Sequence, residues 1–194
     1  MQKSRRQVQK EQTKEKIIRS AMKIYSEEGF TAATSTIAKH AGVAHGSIFL
    51  HFPTLDDLLS CLLAEFENSF EAKLARLAEI SGSIEELLGG HIDILTEYEQ
   101  FYTRLICQTS LLPKGAKTLL TKLQSDLAIH FNRLIEQGVE EKVIRRLPVH
   151  LLFNTWIGLI HYYLQNNESS ASDSPVLARY KKQLIFTYCE LIRR

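Results

Sequence analysis

A chain of 194 residues with 44% hydrophobic content has room for one ordinary domain or two small ones, and enough apolar side chain to build a core of its own. Its three cysteines, Cys61, Cys107 and Cys189, stand far apart with no Cys-x-x-Cys pair, which argues against a disulfide framework or a zinc knuckle and leaves each as a small core residue. Net charge is only +2 but unevenly placed: residues 1–52 carry nine Lys or Arg against four Glu, and the remainder fifteen basic against eighteen acidic groups. A basic segment followed by a mildly acidic body fits a nucleic-acid reader, with a solvated helix face as the plainer alternative.

The N-terminus, MQKSRRQVQK, is basic and has no apolar run behind it. It reads as neither a secretory signal nor a lipidation site, so a cytoplasmic protein is expected. Lys3, Arg5, Arg6 and Lys10 make a basic arm with little to bury, free to follow a phosphate backbone or enter a minor groove. Thr13 is the expected N-cap of a first helix whose Ile17, Ala21, Ile24 and Tyr25 share a face, with Gly29 as its left-handed C-cap.

Residues 34–52, TSTIAKHAGVAHGSIFLHF, follow. Thr34 or Ser35 can cap a short helix that turns Ile37, Ala38 and Ala41 inward. Ala38 is small where two helices cross, Gly42 supplies the positive φ of a tight turn, and Val43 plugs that turn. A second short helix from about Ala44 then returns Ile48, Phe49 and Phe52 to the same core. Each feature alone is common. In register behind a basic helix, they specify a helix-turn-helix of the kind that places its second helix in the DNA major groove.

The run IAKHAGVAHGSIFLHFPTLDDLL, with the helix before it, resembles the DNA-binding region of the tetracycline-repressor (TetR) family of bacterial regulators over residues 13–63. The resemblance implies a homodimer, usually a repressor, that leaves its operator when a small molecule binds the C-terminal domain. Carried over residue by residue, it places Thr34, Ser35, Thr36, Ala44, His45, Gly46 and Ser47 at the DNA, with Phe49 and His51 near the backbone. Where the family often has Ser, Lys, Tyr and a later Lys, this chain has Ala44, His45, Phe49 and Leu55. The basic arm and His45, whose imidazole can donate to guanine N7 or O6 or to a phosphate, are therefore the contacts to test.

Beyond Pro53, Asp56 and Asp57 sit in the first turn of a long helix whose Leu58, Leu62, Phe66 and Phe70 repeat to about Ile80. Ser83 and Glu86 make a capping box. Further helices are expected over 99–111, 114–137, 148–166 and 175–193, the last opened by Ser174-Pro175 as N-cap and first residue after a polar loop at 166–174. Residues 147–165 hold 19 positions without a formal charge, close to a membrane span in length. His150, Asn154, His161 and Gln165 form a polar stripe along them, so the segment reads as a helix buried over most of its circumference, with no membrane partner.

The expected fold is all-α, about nine helices: a DNA-binding domain over residues 1–53 and a larger dimerisation and effector-binding bundle over 54–194. Leu177, Tyr180, Leu184, Tyr188 and Leu191 repeat at three to four residues, and Gly158 in the preceding helix allows close approach. Two such helices from each subunit would make a four-helix interface between copies, with burial inside one subunit as the alternative. Phe101, Tyr102, Cys107, Phe131 and Trp156, with Asn154 and His161 of the polar stripe, are candidates to line an effector pocket. No His-Glu-x-x-His, Gly-x-Ser-x-Gly, phosphate loop or paired metal-ligand motif is present. No catalytic residue, metal or cofactor is therefore expected, and the partners are double-stranded operator DNA, a second copy and a small effector. A helical adaptor without DNA binding is the competing class, and it would leave the helix-turn-helix idle.

Overall fold

The computed structural model describes residues 4–166 and 174–194. Among these it forms nine α-helices: α1 (Arg5–Glu28), α2 (Thr34–Ala41), α3 (His45–His51), α4 (Leu55–Ile80), α5 (Ile84–Glu97), α6 (Glu99–Cys107), α7 (Gly115–Glu140), α8 (Val149–Asn166) and α9 (Val176–Ile192). A 3-10 turn, Thr109–Leu111, follows α6. An isolated antiparallel bridge, Ile144 to Arg193, ties the loop after α7 to the end of α9. The all-α expectation holds, and no single described helix is long and apolar enough to cross a membrane.

The first three helices pack as their apolar spacing directs. Ile17, Ala21, Ile24 and Tyr25 of α1, Ile37 and Ala38 of α2 and Ile48 of α3 are buried together with Phe52. Full burial of an aliphatic side chain stabilises by roughly 1.5–3 kcal/mol, so this small core suffices to fix two short helices. Gly42 closes α2 at φ 67° and ψ 35°, the left-handed turn expected of it. Gly29 ends α1 with a positive φ of 84° but an extended ψ of 174°, so it turns the chain outward without forming a left-handed cap.

Helix α6 braces the end of α1. Gln108 accepts the Phe30 N–H at 2.9 Å, and the Arg104 guanidinium donates to the Ser26 and Glu27 carbonyls at 3.4 and 3.1 Å. The Phe30 ring meets Phe101 of α6 edge-on at 5.7 Å. A Cβ on Gly29 would sit 2.9 Å from the Gln108 amide, so a side chain there would displace Gln108 in addition to straining the positive φ.

Several helix ends differ from expectation. Helix α1 starts nine residues earlier than a cap at Thr13 would place it, capped by Ser4 in a capping box with Gln7, and Thr13 merely donates to the Gln9 carbonyl. Helix α2 takes Ala33 as N-cap, with no side-chain bond from Thr34 or Ser35. Thr54 caps α4 reciprocally with Asp57, which gives that carboxylate a specific partner. Ser83 caps α5, but Glu86 accepts from the Gly82 N–H instead of completing a box. Ser174 does not cap α9; the Glu99 carboxylate accepts both the Val176 and Leu177 N–H groups, at 2.7 and 2.8 Å.

Helix α8 is not buried over most of its circumference: Leu152, Phe153, Trp156, Ile160 and Leu164 face the core, while Leu151, Asn154, Thr155, Gly158 and Tyr162 are exposed. Of the cysteines only Cys189 is a buried core residue; Cys61 is partly covered and Cys107 is exposed.

Candidate nucleic-acid interface

The outward face of α3 carries His45, Gly46, Phe49 and Leu50, with Ser47 and His51 half-buried on its flanks. Ile48 is its only buried position, so the helix presents most of its circumference outward. Ala44 is the N-cap and contributes no side-chain bond; its carbonyl takes the Ser47 N–H at 2.8 Å. Phe49 was expected in the core. It is 43% exposed instead, its ring edge-on to His45 at 5.5 Å, because seven residues of helix leave room for one inward anchor before Phe52. Leu50, at 79% exposed, escaped the sequence reading, although an outward leucine is a plain signal for an apolar contact such as a thymine methyl.

The two helices are cross-linked through polar side chains at their starts. Thr34 Oγ1 lies 2.9 Å from His45 Nε2, with Ser35 exposed and Thr36 half-buried beside it. Behind them, His40 Nδ1 lies 3.0 Å from Ser20 Oγ and pins α2 to α1. Thr34, Ser35, Thr36, His45, Gly46 and Ser47 thus do come together at one edge of the helix-turn-helix.

The basic arm is not an arm over its described length. Arg5, Arg6 and Lys10 lie within the first turns of α1, exposed, and Lys3 falls outside the described residues. A nine-residue helical extension presents these cations in fixed register, whereas a free tail would have to lose conformational entropy on binding.

The candidate effector residues divide. Phe101, Tyr102, Phe131 and Trp156 are buried, and Tyr102 Oη lies 3.0 Å from Nε2 of the half-buried His161. Cys107, at the end of α6, and Asn154, on the outer face of α8, are exposed and do not join them. His91, unassigned by sequence, stands at the centre of this group: its Nδ1 accepts the Trp156 indole N–H at 3.1 Å. Burial pushes the His91 imidazole down to about 3, helped by the neighbouring His161, and burial lowers His161 as well. Both rings are therefore neutral hydrogen-bonding groups at pH 7.

The candidate dimer residues divide too. Leu177, Leu184 and Tyr188 are buried inside the subunit, Tyr188 donating to the Leu152 carbonyl at 2.6 Å, so they are core and not interface. Leu191 and Gly158 are exposed, and among the described residues nothing beyond Gly158's own chain neighbours and helix backbone lies within 4 Å of a Cβ placed there. Tyr180 is half-buried against Tyr163, ring centroids 4.9 Å apart. The exposed apolar residues of the pair, unnoticed in sequence, are Leu151, Tyr162 and Phe186.

Comparison with known proteins agrees with this geometry. Residues 17–61 match the sequence profile of bacterial regulatory proteins, tetR family. The HTH-type transcriptional regulator SrpR of Pseudomonas putida is 28% identical over 153 residues, 77% of this chain and 70% of that protein. Among solved structures, a putative transcriptional regulator from Saccharomonospora viridis in complex with choline superposes with a TM-score of 0.77 at 15% identity, covering 95% and 99% of the two chains. The regulator FadR from Bacillus subtilis, in complex with stearoyl-CoA, gives 0.68 at 19% identity over 91% and 98%. Residues 17–61 thus carry a segment similar to the helix-turn-helix of the tetR family, within an all-α fold shared with solved transcriptional regulators.

Proposed function

We propose that the protein is a homodimeric cytoplasmic repressor, with no catalytic activity of its own, that binds a palindromic operator and is released from it by a small molecule. Residues 1–53 form the DNA-binding unit and residues 54–194 the dimerisation and effector-binding unit. The observation that carries this reading is the exposed face of α3, set beside a helical row of cations on α1. Phosphate contacts from Arg5, Arg6 and Lys10 supply affinity regardless of sequence, while His45, Gly46, Ser47 and Leu50 meet base edges. The starts of α2 and α3, Thr34 to Thr36 and Ala44, fix the register, and Phe49 and His51 lie toward the backbone.

Two recognition helices must reach half-sites about 34 Å apart or more, which requires a second copy. The outer faces of α8 and α9, with Leu151, Gly158, Tyr162, Phe186 and Leu191 exposed, supply a surface for it. The buried group Phe101, Tyr102, Phe131, Trp156 and His161 is the place for an effector; structural neighbours that bind choline and stearoyl-CoA support ligand response in this fold. Selecting bound duplexes from a random pool, followed by a screen for compounds that release them, tests the whole reading. Enrichment of a palindrome supports it, and recovery of no sequence at low salt refutes it in favour of a helical adaptor.

A further inference from the structure

The N-terminal half of α1 reaches the far end of the recognition helix. Arg6, Lys10 and Lys14 recur every four residues, so they share one face of α1, and all are exposed. Lys14 Nζ lies 5.7 Å from the centroid of the Phe52 ring, and that ring is 6.5 Å from the imidazole of His51. His51 is half-buried at the last position of α3, where helix carbonyls favour a cation. The charges acting on it are Lys10 and Lys14. The nearest carboxylates in sequence, at the start of α4, serve their own helix: Asp57 accepts from the Thr54 N–H and hydroxyl. Two ammonium groups near a titratable ring repel its charged form. An anion placed among them turns that repulsion into attraction.

We propose that Lys10, Lys14 and His51 form one clamp for a DNA backbone phosphate at the C-terminal end of the recognition helix, closing with uptake of a proton by His51. The clamp rests on the reading of α3 as the DNA-reading helix. It explains how phosphate is held where Phe49 and Leu55 offer neither a phenol nor an amine. Burial, then Lys10 and Lys14, hold the His51 imidazole below its ordinary range, so the ring is neutral at pH 7 before DNA arrives. A bound phosphate favours the imidazolium; the proton comes from solvent and no covalent bond changes. Operator affinity therefore rises as pH falls from 8 toward 6. His40 and His45, the other histidines of α2 and α3, have partners of their own in Ser20 and Thr34, so a His51 variant isolates the contribution of the clamp.

The test uses the full chain on a selected operator fragment and on a random duplex, by fluorescence anisotropy over a salt series at pH 8 and pH 6. Lys10→Met/Lys14→Met keeps an apolar stem at position 14 beside Phe52 and removes both charges. It is expected to flatten the slope of log affinity against log salt by roughly 0.9 per phosphate lost, and to weaken both duplexes by a similar factor. Lys14→Arg, which keeps both charges, is expected to keep the parent's slope. His51→Gln is expected to abolish the gain in affinity between pH 8 and pH 6, while its thermal melt matches that of the parent protein. A parent chain that binds no duplex overturns the DNA-reading assignment together with the clamp. A parent that binds, with the salt slope unchanged in the double variant or the pH response unchanged in His51→Gln, overturns the clamp alone.

Discussion

Thr34 Oγ1 and His45 Nε2, 2.9 Å apart, join the first residue of α2 to the first residue of α3. If the hydroxyl donates, the ring's Nδ1–H faces outward as a donor suited to guanine N7 or O6; if Nε2–H donates, Nδ1 faces outward as an acceptor. Both groups border solvent, so the bond adds no more than about 1 kcal/mol to stability and acts mainly by orienting the ring. Thr34→Val is therefore expected to leave the melting temperature within about 2 °C of the parent while reducing discrimination between operator and random duplex several-fold. His45→Ala should reduce it further, by an amount on the order of the 1–3 kcal/mol of one base contact. Equal weakening on both duplexes in an anisotropy titration would remove His45 from the reading set.

The His91 imidazole, lowered to about 3 by burial, makes the fold sensitive to acid. In the folded chain the ring stays neutral down to that value, whereas the unfolded chain takes up a proton near 6.5. Its stabilising contribution is complete above about pH 6.5 and declines as pH falls toward 3, by about 1.4 kcal/mol per pH unit. His161, also lowered, acts in the same direction. Urea unfolding at pH 7 and pH 5 should thus show the parent losing roughly 2 kcal/mol from His91 alone. His91→Gln should start less stable, because its amide replaces the imidazole acceptor of the Trp156 N–H imperfectly, and should lose less on acidification. An equal drop in both proteins would mean that another group sets the acid response.

How far the sequence could be read depended on the range of the interaction. Local spacing was enough for α1 to α3 and for the order of helices, because Ile37, Ala38, Gly42 and Ile48 act within a dozen residues and each has one evident place. Contacts across the chain were not legible. The cap of α9 comes from Glu99, about 77 residues earlier, so Ser174 looked sufficient when it was not. The periodic stripe of α9 was real, but periodicity marks whichever face is buried first, and Leu177, Leu184 and Tyr188 found their partners within the subunit. Arg5, Arg6 and Lys10 looked like a tail because a polar segment gives no apolar signal, although Ser4 and Gln7 cap it as helix.

Glu99 gives a direct measure of that long-range cap. Its two oxygens each accept one N–H at the start of α9, a charge-assisted arrangement that also suits the positive end of the helix. Glu99→Ala should destabilise by about 1–2 kcal/mol, and Glu99→Gln, which keeps one good acceptor, by roughly half as much. Hydrogen exchange localised to the amides of 176 and 177 would report the loss. Unchanged protection there would show that another group caps the helix.

Among the described residues the buried Tyr25 hydroxyl has no hydrogen-bond partner, and burial pushes its pKa up to about 12. An unsatisfied buried hydroxyl carries a desolvation penalty of about 1–3 kcal/mol, whereas the ring packs usefully on Phe30 at 5.4 Å. Tyr25→Phe keeps the ring and removes the penalty, so the urea midpoint should stay level or rise, with a gain of up to about 1 kcal/mol. Tyr25→Ala should instead lose roughly 3–5 kcal/mol through the cavity it leaves. A clear loss in Tyr25→Phe would reveal a partner for the hydroxyl.

Phe186 and Leu184 stand two residues apart on α9 and should behave oppositely. Leu184 is buried within the subunit, so Leu184→Ala should destabilise the fold by about 2–5 kcal/mol. Phe186 is 68% exposed and Leu151 of α8 54%, so Leu151→Glu/Phe186→Glu removes little packing within one copy. If these faces pair two subunits, each copy of the interface gains two unpaired carboxylates where apolar surface met apolar surface, and repulsion adds to the lost burial. Light scattering behind a sizing column should then give a dimer for the parent and a monomer for the double variant. The variant should keep near-parent circular dichroism and bind a half-site and a full palindrome with similar weakness, since one recognition helix anchors each. A double variant that stays dimeric would move the interface away from α8 and α9, and a monomeric parent that still prefers the full palindrome would place dimerisation on the DNA itself.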